Sequence, residues 1–183
     1  SPDYLHLSSD RSDNGIDMVR TVTDGKYIYS RNYITFMPEV RYIRYMEIGE
    51  IKQQMRKDLE NNKLNDLQKN LFEERPPEFL FDIENDLWET INLADDPEFG
   101  NVLAKMRNLL KDEILRSRDV MFLPEYETAI LSKTTNAWEY RLSNASYPLD
   151  IIYEAASLSG FRGEDIITEQ MNLLDHDNKI VRY

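Results

Sequence analysis

The densest group of side chains able to do chemistry lies in FLFDIENDLWETINLADDPE, Phe79 to Glu98. Asp82, Glu84 and Asp86 alternate like the opening ligands of a calcium loop. Such a loop needs Gly at its sixth position for the sharp turn and a bidentate Glu at its twelfth; Leu87 and Leu93 stand there. Paired carboxylates also serve as acid and base when their environments push their pKa values apart, and nothing in this spacing supplies the burial or partners required. The simpler reading is architectural. Asn85-Asp86 suits a turn. Asp95-Asp96-Pro97-Glu98 reads as a helix start, with a capping Asp, proline at the first helical position and acid in the first turn.

Other reactive side chains are sparse. The two histidines, His6 and His176, are too few and too far apart for a His-based zinc site, which needs about three protein ligands. His6 falls in a strand pattern and reads as packed; His176, in DHDN, reads as solvent-facing. There is no cysteine, hence no disulfide, thiolate metal site or cysteine nucleophile. Neither a G-x-S-x-G elbow nor a P-loop occurs. Asn144-Ala145-Ser146 matches the N-glycosylation triplet. Asp10, Arg11 and Asp13, in SSDRSDNG, form a polar cluster between two strands that could line a pocket; an Asx-type turn with a surface ion pair accounts for the same residues.

The elements that must position these residues make an α+β pattern. IDMVRTVT and KYIYSRNY, Ile16–Thr23 and Lys26–Tyr33, are rich in β-branched and aromatic residues. Asp24-Gly25 between them is a preferred pair for a two-residue hairpin turn, setting Val22 opposite Tyr27 and Arg20 opposite Tyr29. Tyr4–Leu7 reads as a further short strand, and EFLFDI as a buried one. From Arg41 to Phe72 the pattern is helical, carried by Ile48, Ile51, Met55 and Leu59. Val102, Leu103, Met106, Leu109, Leu110 and Ile114 form an apolar stripe out to about Arg116. Residues 128–148 are poorly patterned, with Trp138 and Tyr140 expected as anchors. Short helices follow at Leu149–Leu158, Ile166–Leu174 and from Asn178.

With 183 residues, 41% of them hydrophobic and 11% aromatic, the chain can bury a core. A formal charge of −12 argues against non-specific nucleic-acid binding, which needs clustered cations. No apolar run approaches the roughly 18 residues of a membrane span. The start SPDYLHL reads as internal to a longer protein.

PPEFLFDIENDLWETINLADDPEF closely resembles the C-terminal signature of sulfatases, of the form E-L-Y-D-L-x-x-D-P-x-E-x-x-N-L-A. The matching residues are Glu78, Leu80, Asp82, Asp86, Glu89, Asn92, Leu93 and Ala94; Phe81 replaces the tyrosine and Leu87 the proline. DMVRTVTDGKYIYSRNY is similar to the family's hairpin, and Asn62-Lys63-Leu64-Asn65 with Arg75-Pro76 echoes its approach to the last strand. The likeness covers about residues 4–125 and points to the branch similar to bacterial heparan N-sulfatase and related glycan sulfatases. It implies a small four-stranded antiparallel sheet (about 4–9, 16–23, 26–33 and 78–83) under a long helix at 97–116, as a C-terminal subdomain over 1–125. A linker at 126–148 and a helical tail at 149–183 follow. In the tail, LLDHDNKIVRY resembles the start of a HEAT-type repeat through Asp177, Val181 and Arg182.

The same resemblance implies what this chain lacks. Such sulfatases use a formylglycine, made from a C/S-x-P/A-x-R motif absent here, and a calcium ion; both are expected in the parent's N-terminal part. The implied partners are that N-terminal catalytic domain and, for the parent, a sulfated glycan. A periplasmic or extracellular location is implied likewise. No catalytic residue is expected in this chain and none of its own turnover. The loop matching DRSD borders the family's substrate cleft as R-D-R-x-D, so Arg11 and Asp13 are implied substrate-side residues, with Ser9 replacing the first Arg. The rival expectation is an autonomous, non-catalytic protein- or glycan-binding module.

Overall fold

A computed structural model describes Asp3 to Tyr183, apart from the side chain of Ser12. Strands β1 (Leu5–Ser12), β2 (Gly15–Thr23), β3 (Tyr27–Asn32) and β4 (Glu78–Asp82) form one antiparallel sheet in that order. The fold is the α+β arrangement expected from the sequence. Between β3 and β4 lie short helices α1 (Arg44–Glu47), α2 (Glu50–Glu60) and α3 (Asp66–Asn70). After β4 come α4 (Gly100–Ser117), α5 (Glu125–Leu131), α6 (Ala137–Tyr140), α7 (Leu149–Ser157), α8 (Glu164–Leu173) and α9 (Lys179–Arg182). No helix among the described residues is long and apolar enough to cross a membrane.

The β2–β3 register differs from the expected one. Val22 pairs with Tyr29 and Arg20 with Arg31, and three residues, Asp24 to Lys26, join β2 to β3. Asp24 causes this: its Oδ1 accepts from the backbone N–H groups of Lys26 (3.2 Å) and Tyr27 (2.9 Å), an Asx turn that widens the loop. Gly25 takes φ +91°, where a side chain is disfavoured.

Register fixes what each face carries, because alternate residues point opposite ways. One face aligns His6, Val22, Tyr29 and Leu80 in a cross-sheet row, and Ser8, Arg20, Arg31 and Glu78 in the next. Helix α4 packs on this face. Its N-terminal half supplies buried Leu103 and Met106, Arg107 pairs with Glu78, and the ring of Phe99 meets that of Tyr27 edge-on. Burying such apolar side chains stabilises by about 1.5–3 kcal/mol each. The helix starts as its sequence predicts: Asp96 Oδ1 accepts from Glu98 N at 2.9 Å ahead of a 3₁₀ turn at Pro97–Phe99.

The segment before β4 departs from a simple amphipathic reading. Ile48 and Ile51, which set the helical period, are exposed, and the buried residue of α2 is Lys52. Its ammonium is satisfied by Glu47 at 2.7 Å and by the carbonyl of Arg41, so a charged side chain occupies the inner position at low cost.

The chain divides into two compact units at Arg107/Asn108, within α4. In the second unit, Phe122, Leu123, Tyr147, Leu149, Ile152, Ile180 and Val181 are buried. Helices α7 and α9 pack together, and Lys179 pairs with the buried Glu127 at 2.6 Å. Residues 128–148, unpatterned in sequence, contain most of α5 and all of α6. Trp138 is no anchor: it is exposed, lying under the Arg141 guanidinium at 3.7 Å. Tyr147 takes that role, fully buried with its hydroxyl donating to the carbonyl of Asp119 at 2.6 Å.

Candidate functional site

The residues singled out by sequence sit at the β1–β2 hairpin tip. Ser12 pairs with Gly15, leaving Asp13-Asn14 as the turn, with Asp13 in the left-handed region at φ 52°. Short polar residues tolerate that conformation best after glycine. Arg11 and Asp13 are both exposed, and Arg11 Nη1 donates to the carbonyl of Asp13 at 3.3 Å. Asp10 is turned the other way and pairs at 2.8 Å with Arg20, whose side chain is fully buried. A register shift between Ser9 and Arg11 separates these directions, as a bulge does when it re-aims a side chain.

Immediately behind the tip lies a group that sequence reading missed. Asp17 is buried and clamped by two guanidinium groups. Arg75 Nη2 reaches its Oδ1 at 2.7 Å, Arg75 Nη1 its Oδ2 at 3.4 Å, and Arg41 Nη2 its Oδ2 at 3.1 Å. Arg75 also donates to the carbonyl of Ile34 at 3.0 Å and approaches Glu39 at 3.4 Å. Both arginines are buried. The cluster ties β2 to the 34–41 segment and to the chain entering β4. The available signal was an acid inside the β-branched run IDMVRTVT, on the face away from Val22.

This ion cluster borders a notch of about 380 Å³ on the sheet face opposite α4. Ser9, Val19, Asn32 and Phe79 form its floor, and Glu39, Arg75 and Glu89 its rim. Asp17, in the wall of the notch, is engaged by its two arginines, while the carboxylates of Glu39 and Glu89 stand at the rim. The floor of the notch mixes the polar Ser9 and Asn32 with the apolar Val19 and Phe79, and its rim is charged.

The signature stretch explains its own residues. Asp82 accepts from Glu84 N at 3.1 Å and from the Asn85 side chain at 2.9 Å. Asp86 accepts from Thr90 N at 2.6 Å and Ile91 N at 2.7 Å. Both carboxyl groups are held below the usual range: Asp82 first by the Asn85 hydrogen bond, Asp86 first by the Ile91 amide. Asn92 accepts from Leu80 N at 2.9 Å and donates to the Glu78 carbonyl at 3.0 Å, stitching the loop to the edge strand β4. The apolar residues of this stretch suggest anchors for the join at Leu80, Ile83, Trp88, Ile91 and Leu93; Leu80 is buried, Ile83 and Leu93 are half-buried, and Trp88 and Ile91 are exposed. Side-chain-to-backbone hydrogen bonds, more than apolar packing, hold the loop. Among the described residues, no three His, Cys, Asp or Glu converge as metal ligands.

Glu78, on the α4 face, has a perturbed carboxyl. Burial alone would raise its pKa; hydrogen bonds from Arg107 Nε at 2.6 Å and from the Tyr29 hydroxyl at 2.6 Å outweigh that and lower it. Burial and the adjacent Glu78 charge push the Tyr29 hydroxyl up. Both groups are locked in the packing beneath α4, a structural arrangement. His176, expected in solvent, is half-buried, its Nδ1 accepting from Asn178 N at 3.0 Å.

An ulvan-active sulfatase of Formosa agariphila is 36% identical to this chain over 128 residues, 68% of the chain. This region is related to sulfatases. The sulfatase-related stretch amounts to about a fifth, 21%, of that relative's length. No protein-family model matches the chain.

Proposed function

We propose that this chain is the C-terminal portion of a formylglycine-dependent sulfatase that hydrolyses sulfate groups on carbohydrate, within the branch similar to bacterial heparan N-sulfatase and other glycan sulfatases. The relation to an ulvan-active sulfatase over two thirds of the chain carries this reading. The parent's N-terminal catalytic domain supplies the formylglycine and the calcium ion. This piece packs on that domain, contributes no catalytic group and is inactive alone. The exposed hairpin tip, with Arg11 and Asp13, borders the substrate cleft. There the guanidinium of Arg11 offers paired N–H donors to a sulfate or carboxylate of an anionic sugar. Helices α7 to α9 begin a HEAT-type repeat.

Peptide mass mapping of the parent tests the class. A formylglycine in a C/S-x-P/A-x-R peptide upstream of this region is expected, and a fully mapped parent without one would remove the reading. For the tip, Arg11→Ala in the parent is expected to lower kcat/KM toward a sulfated oligosaccharide; an unchanged value would withdraw Arg11 from the cleft.

A further inference from the structure

We propose that Trp138, Arg141 and Arg118, in the second unit, form a binding site for one anionic sugar ring. The indole receives the C–H face of the ring, and the guanidinium groups receive its sulfate or carboxylate. The choice of a sugar rests on the sulfatase reading; the site itself lies outside both the signature stretch and the hairpin tip.

Three observations carry it. First, the indole is exposed yet fixed. Trp138 is 68% exposed, and the Arg141 guanidinium covers one of its faces at 3.7 Å from the ring centroid. Arg141 is itself held: its Nη1 donates to the carbonyl of Ser117, and its own carbonyl accepts from Arg118 Nε. Arg118 Nη2 reaches on to the carbonyl of the buried Tyr147 at 3.1 Å. A ligand stacking on the indole therefore orders little side chain as it binds. Second, the two cations lack a counter-charge. Both are half-buried, and among the described residues neither guanidinium lies within ion-pair reach of a carboxylate. Elsewhere Arg20 is matched by Asp10, Arg41 and Arg75 by Asp17, and Arg107 by Glu78. Arg141 Nε is buried without a hydrogen-bond partner. Capping the last carbonyl of α4 occupies only one of the five N–H donors of Arg141. Third, Arg118 is placed at a backbone cost. It ends α4 in the left-handed region, φ 52°, with its N–H on the carbonyl of Leu115 and that of Asp119 on the carbonyl of Ile114. Glycine is usual at such a cap, and strained residues of this kind cluster at ligand sites.

A sugar ring with one anionic substituent answers all three. Its C–H face packs on the flat apolar body of the indole. Its sulfate or carboxylate takes paired N–H donors from a guanidinium already stacked on an aromatic ring. The same anion is the counter-charge that a partly desolvated cation otherwise lacks.

The test is a titration of this chain with glucose 6-sulfate, glucose and inorganic sulfate. NMR follows the indole N–H signals of its two tryptophans, Trp88 and Trp138, and saturation transfer to the sugar ring protons. Expected is a saturable shift of the Trp138 signal alone. Glucose 6-sulfate should bind at least about tenfold more tightly than glucose or sulfate, the worth of one charge-assisted hydrogen bond. Trp138→Ala removes an exposed side chain, so the fold stays in place, and transfer to the ring protons should vanish. Arg141→Lys keeps the charge but not the planar fork and should weaken binding about tenfold. An unmoved Trp138 signal, or transfer that survives in Trp138→Ala, would overturn the site. Equal affinity for glucose 6-sulfate and for sulfate alone would reduce it to an adventitious anion contact and overturn it likewise. Unchanged binding by Arg141→Lys would overturn the guanidinium's role. Resistance of Trp138 to hydroxyl-radical oxidation in the sugar-free parent would show that polypeptide covers the indole, and that too would overturn the site. Formylglycine mapping reports separately on the sulfatase reading, so the two fail distinguishably.

Discussion

Asp17→Ala is expected to be among the most damaging single substitutions in the first unit. Asp17 is 7% exposed, and its carboxylate faces the guanidinium groups of Arg75 at 2.7 Å and Arg41 at 3.1 Å. Truncation leaves two buried cations without their anion. Glu39, at 3.4 Å from Arg75 and half exposed, compensates weakly. Breaking a buried pair in this way costs about 3–5 kcal/mol, a large share of the roughly 5–15 kcal/mol that holds a domain folded. Asp17→Asn keeps the shape and one acceptor oxygen but removes the charge, so its cost is closer to that of a charged hydrogen bond, about 1.5–3 kcal/mol. Urea denaturation at pH 7 measures both, and the expected order of midpoints is wild type, then Asp17→Asn, then Asp17→Ala. Glu84→Gln, which removes only the exposed contact to Lys26 at 3.2 Å, serves as the control and should leave the midpoint in place. An Asp17→Ala midpoint equal to that of the control would refute the buried clamp.

Three further outcomes follow from the same packing. Glu78 has a lowered pKa in the fold against an ordinary 4.5; its contribution is therefore fully present above about pH 4.5 and lost as pH falls below it. The stability gap between wild type and Glu78→Gln should be widest near neutrality and shrink on acidification, and a gap independent of pH would contradict this. Asn92→Ala removes bonds to Leu80 N, Ala94 N and the Glu78 carbonyl and should cost about 1–3 kcal/mol, with faster amide exchange at Leu80. Met106, fully buried on α4, should cost about 2–5 kcal/mol on truncation to Ala; a loss under about 1 kcal/mol would mean that the helix does not seat on the sheet as described.

Much of the fold was legible because it rests on local signals. β-Branched alternation marked β2 and β3, and the Asp96-Pro97-Glu98 cap and the Leu103–Ile114 stripe marked α4. What escaped has a common physical cause: polar side chains satisfied at a distance. Asp24 reshaped its hairpin by capping Tyr27 N, which the Asp-Gly pair alone does not reveal. Lys52 took the inner side of α2 because Glu47 and a carbonyl receive it, while Ile48 and Ile51 stayed outside. Asp17 is separated from Arg75 by 58 residues in the chain, so neither spacing nor periodicity could join them. A turn between the first two strands was legible, but β1 runs on to Ser12, so Asp10 and Arg11 lie in the strand and Asp13 in the turn; Asp10 pairs with Arg20, leaving Arg11 and Asp13 exposed near the tip. The signature acids proved to be turn and cap groups, as their turn chemistry implied.

Sulfate release from a chromogenic aryl sulfate, in buffer containing calcium, tests the central claim most directly when the longer parent and this chain are assayed side by side. The account predicts turnover by the parent and none above a buffer blank by this chain. Turnover by this chain alone, or a folded, formylglycine-bearing parent that releases no sulfate from aryl or carbohydrate esters, would contradict it.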